Sequence, residues 1–329
     1  MNNSYLSAEE AQAISNAMPV NQVFGVGEKL KNALAGGAQL GQKWYLDAVN
    51  GNDDYDGLSP ETAFKTLPYA YAKLTANKNE ILFVIGGASA LNLAVAFTWG
   101  KSYTHLVGLA GDTAFGGRAR IGHSANFTTM FTIDASGCVF KNIHWQFGRG
   151  STTNVNGVVL TATAHYNYFE GCHFDGALHV TESGGSQAWR MLVLTNGVRS
   201  TTFRGCTFGD WTVVWASAAG TLVEFGGLNA GTHFIGCKFI INTSSTSMIP
   251  VKADVDLGGD YAYVTFEACN FISVNASPAV VVGVPSAGKI IIDGSTLFNC
   301  DAWSASASGK VLVSSPVGSK VGGFGVTPT

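Results

Sequence analysis

Paired carboxylates are the first residues in this 329-residue sequence that could do chemistry. Lys252, Asp254 and Asp256 alternate with Val251, Ala253, Val255 and Leu257, so a strand would stand all three polar side chains on one face. Asp254 and Asp256 could then serve as acid and base on a sugar chain, or hold Ca²⁺. A solvated outer face accounts for the same residues, and exposed carboxylates are the commoner case. Asn52, Asp54 and Asp56, followed by Gly57, match the first half of a calcium loop. The loop's twelfth position, which needs Glu, is Ala63. Asx turns around the glycine explain these residues equally well. Trp189, Trp211, Trp215 and Trp303 offer flat apolar faces for a glycan or a protein partner, or they fill wide turns. The sequence has no G-x-S-x-G, H-E-x-x-H or P-loop. No resident metal or cofactor is expected.

A repeated phrase must position these residues. Phe169-Glu-Gly-Cys172-His-Phe174, Phe203-Arg-Gly-Cys206-Thr-Phe208, Phe234-Ile-Gly-Cys237-Lys-Phe239 and Phe266-Glu-Ala-Cys269-Asn-Phe271 are four copies. Phe140-Lys-Asn-Ile143-His-Trp145 is an earlier variant, and Leu297-Phe-Asn-Cys300 reads as a later one. One copy every ~30 residues is the signature of a solenoid. Each phrase reads as a strand end, a glycine bend and a new strand, with Phe and Cys inward and the residue between them outward. The fold class is therefore all-β, a right-handed parallel β-helix. Stacked coils should align Cys172, Cys206, Cys237, Cys269 and Cys300 in an internal column, where thiols pack as small apolar groups. A metal site would need close Cys-x-x-Cys pairs, and none occurs. Outside the core, Lys141, Glu170 and Arg204 alternate in sign on successive coils, which suits charge pairing. His144 and His173 hold matching outward positions, with no evident carboxylate partner for either.

The chain divides into a helical segment over residues 1–40, a β-helix entry with a covering helix over 41–80, the β-helix over 81–314, and an extended tail over 315–329. In the first segment, Val23, Val26, Leu30 and Leu34 make an apolar stripe at helical spacing. The stripe has no partner within so short a segment and suits attachment to another surface. The uncharged run 81–99 is broken by Gly86 and Gly87 and reads as buried strands joined by a turn, so no membrane span is expected. A net charge of −3 with no basic run argues against a broad nucleic-acid surface. The first residues carry no basic stretch ahead of an apolar one, so no secretory signal is read.

Residues 44–75 carry a resemblance. Tyr45-Leu-Asp-Ala-Val-Asn-Gly51-Asn-Asp53, then Gly57-Leu-Ser-Pro60 and Phe64-Lys-Thr66-Leu67, resemble the opening of pectate-lyase-like β-helix proteins. The resemblance implies the fold and a helix covering the first coil. It does not single out an activity, because the superfamily includes lyases, hydrolases, epimerases, adhesins and bacteriophage spikes. The helical lead segment and the missing export signal are similar to bacteriophage virion proteins. This implies a structural protein made in host cytoplasm and displayed on the virion, as capsid decoration or tailspike. It would be a homotrimer, attached to other virion proteins through residues 1–40 and able to bind host surface polysaccharide. The alternative is a polysaccharide depolymerase, a lyase or glycoside hydrolase.

Overall fold

The computed structural model describes residues 41–87, 89–110, 119–125, 127–147, 156–176, 189–212, 214–215, 218–305 and 309–314. The stripe Val23, Val26, Leu30 and Leu34 and the tail 315–329 lie outside them. Described strands form three parallel sheets of ten, eight and six strands. The ten-stranded sheet runs from Lys43–Leu46 to Val311–Val313, the eight-stranded sheet from Leu91–Leu93 to Thr296–Phe298, and the six-stranded sheet from Phe97–Trp99 to Val251–Lys252. The chain visits them in that order on each coil, as in Tyr168–Glu170, His173–Asp175 and Arg190–Thr195. The run 81–99 contributes to one strand in each sheet. No helix among the described residues is long and apolar enough to cross a membrane.

One helix, Leu67–Lys73, precedes the regular coils. Thr66 is its extended N-cap, and Pro68 suits the first turn because its missing N–H would have no helical partner. Leu67 and Ala70 are its buried residues. Asp53 anchors its start, accepting the N–H groups of Lys65 and Thr66 at 2.8 and 2.9 Å and the Thr66 hydroxyl at 2.7 Å.

The repeat phrase builds the core through register. Phe140, Phe169, Phe203, Phe234, Phe266 and Ile292 pair in sequence along the ten-stranded sheet. Trp145, Phe174, Phe208, Phe239, Phe271 and Leu297 do so along the eight-stranded sheet. Phenylalanine rings in the first column stack at 4.6–4.8 Å, close to the ~4.8 Å strand spacing. The bend between the two sheets takes a left-handed backbone on every coil. Gly171, Gly205 and Gly236 have φ of 58°, 59° and 61°, and Ala268 is held at 51° without glycine's freedom.

All six cysteines are buried and free. The thiols of Cys172, Cys206, Cys237 and Cys269 each donate to the carbonyl of the phrase's first Phe one coil earlier, at 3.3–3.7 Å. Cys300 does not join this column. Pairing of Phe266 with Ile292 and of Phe271 with Leu297 makes residues 292–297 the last copy, and Ser295 takes the cysteine position. Its hydroxyl donates to Phe266 O at 3.1 Å, the same bond in another chemistry. Cys300 follows a separate turn at Asn299 and is buried beyond it, where burial pushes its thiol up to about 12.

Candidate active site

The eight-stranded sheet presents its outward side chains in columns set by parallel register. His144 pairs with His173, and Gln146 with Asp175. Asp175 stands two residues after His173, so strand alternation puts both on the same face. Thr207 follows beside His173 on the next coil, and the strand Thr207–Gly209 turns directly into Asp210. Outward here does not mean solvated. His144, His173 and Asp175 are all buried, at 6, 7 and 2 % exposure.

The two imidazoles stack, with ring centroids 4.4 Å apart and planes 17° from parallel. His173 Nε2 donates to Gly209 O at 2.9 Å. His144 Nε2 lies 3.1 Å from Asp175 Oδ2, so the carboxyl partner that the sequence did not disclose is Asp175. Burial holds the Asp175 carboxyl well above the usual range, and the neighbouring Asp210 carboxylate pushes it further the same way. The cluster therefore combines a desolvated acid of raised pKa with an imidazole in contact. Half-buried Asp210 is fixed by accepting the Thr212 hydroxyl at 2.6 Å and the Thr212 N–H. It also lines a small, mostly apolar void of about 10 Å³ among the buried side chains of Met191, Trp215, Leu222, Ile240, Asn242 and Met248.

Two histidines and a carboxylate are also a donor set for a transition metal, and their ligand atoms lie within 4.8 Å of one another. The geometry suits proton transfer better. A metal bonds in the plane of each imidazole, whereas the lone pairs of stacked rings run side by side. The Gly209 carbonyl also engages one nitrogen of His173.

The residues singled out in the sequence lie elsewhere. The strand ends at Lys252, so Asp254 and Asp256 do not extend a pleated face. Both are exposed, and Asp256 Oδ1 accepts the Gly258 and Gly259 N–H groups at 2.8 and 2.7 Å. Lys252 Nζ donates to Ala219 O at 3.0 Å. Asn52 Oδ1 accepts Asp54 N at 3.1 Å, and Asp56 Oδ1 accepts Leu58 N at 3.0 Å. These are Asx turns, with Asp54 exposed beside them. Of the four tryptophans, Trp211 is exposed at 40 %, while Trp189, Trp215 and Trp303 are buried. Wide turns between the eight- and six-stranded sheets carry Trp211 and Trp215, which explains why they fall outside the repeat phrase.

No protein-family model matches the chain, and no curated protein does. Solved structures do match it. Pectate lyase Pel9A is 16 % identical with a TM-score of 0.54, over 79 % of this chain and 64 % of that one. Pectin methylesterase PemA from Erwinia chrysanthemi is 12 % identical with a TM-score of 0.51, over 80 % of each chain. The fold is a right-handed parallel β-helix. At these identities the likeness is one of fold, and the chain spans 64 % of the pectate lyase's length. Within this β-helix, the His-x-Asp spacing at 173–175, with a histidine one coil earlier, is the sequence signal that could have located the cluster.

Proposed function

We propose that this β-helix processes a polysaccharide by acid–base chemistry on the outer face of its eight-stranded sheet. The observation that carries the reading is the buried Asp175 carboxyl, 3.1 Å from His144 Nε2 and close enough to Asp210 for that carboxylate to raise its pKa. Half-buried Asp210 is the most accessible member and would exchange a proton with a sugar chain lying on the outer face. Asp175 and His144 behind it would replace or accept that proton, making them positioning groups. The likeness in fold to a pectate lyase and a pectin methylesterase supports a uronic-acid glycan as the first substrate to try.

The test is incubation with polygalacturonate, methyl-esterified pectin and a panel of bacterial surface polysaccharides. Unsaturated sugar ends would report elimination, and new reducing ends alone would report hydrolysis. The expected result is cleavage of one class, slowed by about 100-fold or more in Asp210→Asn. Equal cleavage by wild type and Asp210→Asn, or none across the panel, would refute the reading. Virion display and attachment to capsid or tail proteins rest on residues 1–40, outside the described residues, and the homotrimer rests on the family resemblance.

A further inference from the structure

The corner that leads into the ten-stranded sheet repeats on every coil, three residues before the inward position of Leu106, Phe140, Phe169, Phe203, Phe234 and Phe266. The occupants are Tyr103, Gly137, Tyr166, Ser200 and Gly231 in turn, and Tyr263 follows on the same line as the first residue of the strand Tyr263–Glu267. Backbone bonds hold the corner in line. Tyr103 N donates to Ser136 O, Gly137 N to His165 O, Tyr166 N to Arg199 O and Gly231 N to Tyr263 O, all at 2.8–3.1 Å.

The corner demands a left-handed backbone, with φ of 68° at Gly137 and 71° at Gly231. Tyr103 and Tyr166 adopt it too, at 52° and 55°. A bulky side chain there is strained, and glycine does the same backbone work on neighbouring coils without strain. The strain is not repaid by core burial, because Tyr103 is 46 % exposed and Tyr166 66 %; Tyr263, unstrained in its strand, is 43 % exposed. Strained backbone that supports an exposed aromatic points to a use for the ring.

We propose that Tyr103, Tyr166 and Tyr263 form a stacking ridge for a polysaccharide lying along the helix axis. The inference rests on the polysaccharide reading above and extends it to how the chain is held. At ~4.8 Å per coil, Tyr103 and Tyr166 stand two coils or ~10 Å apart, and Tyr263 three coils or ~14 Å further on. Spacings of this kind would set the rings against sugars two and three residues apart along one strand of glycan. Residues between the rings are small or polar. Gly137 leaves room for the Tyr103 ring, which lies over it 2.5 Å from where a Cβ would sit. Ser200 and the preceding Arg199 are exposed and bring a hydroxyl and a guanidinium. Isolated apolar faces separated by hydrogen-bonding groups suit a sugar chain, whereas a protein partner would want a contiguous apolar patch.

The experiment uses the full chain and its Tyr103→Gly, Tyr166→Gly and double variants. Binding of trisaccharide and octasaccharide oligogalacturonides is measured by calorimetry, with thermal unfolding and sedimentation alongside. The expected result is tighter binding of the octasaccharide, weakened about tenfold per ring removed, with unfolding midpoints unchanged or raised as the backbone strain is relieved. Unchanged octasaccharide affinity in the double variant overturns the ridge, as does wild type that binds neither oligomer. A change of oligomeric state in the variants also overturns it, by assigning the rings to contact between copies. Cleavage lost in Asp210→Asn with binding unaffected by the tyrosines would separate failure of the ridge from failure of the catalytic reading.

Discussion

Two cross-coil pairs show what the β-helix does with outward polar side chains. Lys141 Nζ meets Glu170 Oε1 at 2.8 Å on the ten-stranded sheet, and His144 Nε2 meets Asp175 Oδ2 at 3.1 Å on the eight-stranded sheet. Each pair joins adjacent coils through parallel register. The side chains of the first pair are 22 and 38 % exposed, those of the second 7 and 4 %. Water screens the first, so it is a surface ion pair of small worth. Desolvation governs the second and raises the pKa of its carboxyl. The same repeat thus gives solvated charge on one face and a perturbed acid on another, and burial makes the difference.

Beneath both faces lies the common Phe column, where the largest effect is expected. Phe203→Ala should lower stability by about 3–5 kcal/mol in denaturant unfolding, since Phe203 is fully buried between Phe169 and Phe234. The contrast between the faces comes next. His144→Ala should cost about 1–3 kcal/mol by removing one hydrogen-bond partner of a buried carboxyl, and Lys141→Ala less than about 1 kcal/mol, shrinking further in salt. Equal losses would break the comparison.

A third histidine gives the acid limb of stability. His105 accepts Val139 N–H on Nδ1 at 3.0 Å, and burial pushes its pKa down from 6.5 to about 4. Its unfolded form binds a proton first, so its contribution is present above pH 6.5 and lost as pH falls toward 4. Asp175 runs the other way. Its raised folded pKa favours the fold at low pH, and that contribution fades as pH climbs from 3.8 through the folded value. Unfolding measured against pH should show Asp175→Asn removing the second trend and leaving the first. The smallest effect is at the bend, where Ala268→Gly should raise stability by about 0.5–1 kcal/mol by removing a side chain from φ of 51°.

The inward columns were legible because burial repeats one requirement on every coil, which Phe and Cys meet in the same letters. That legibility failed where the requirement was met by other letters. Ile292 and Ser295 do the work of Phe266 and Cys269, while Cys300 repeats the letter without the position. The candidate site was harder to read for a related reason. Alternation told that His144 and His173 face outward but not that this face is buried, and Asp175 comes into range of His144 only through register between coils. Asp254 and Asp256 drew attention by alternation alone, in a strand that stops at Lys252.

The protonation of Asp175 tests the account most directly. Carboxyl ¹³C NMR of the full chain, with Asp175 assigned by its loss in Asp175→Asn, should show it titrating well above the ordinary value of 3.8 and moving down in Asp210→Asn. An Asp175 that titrates at or below 3.8 and ignores Asp210 would contradict the proposed acid–base site.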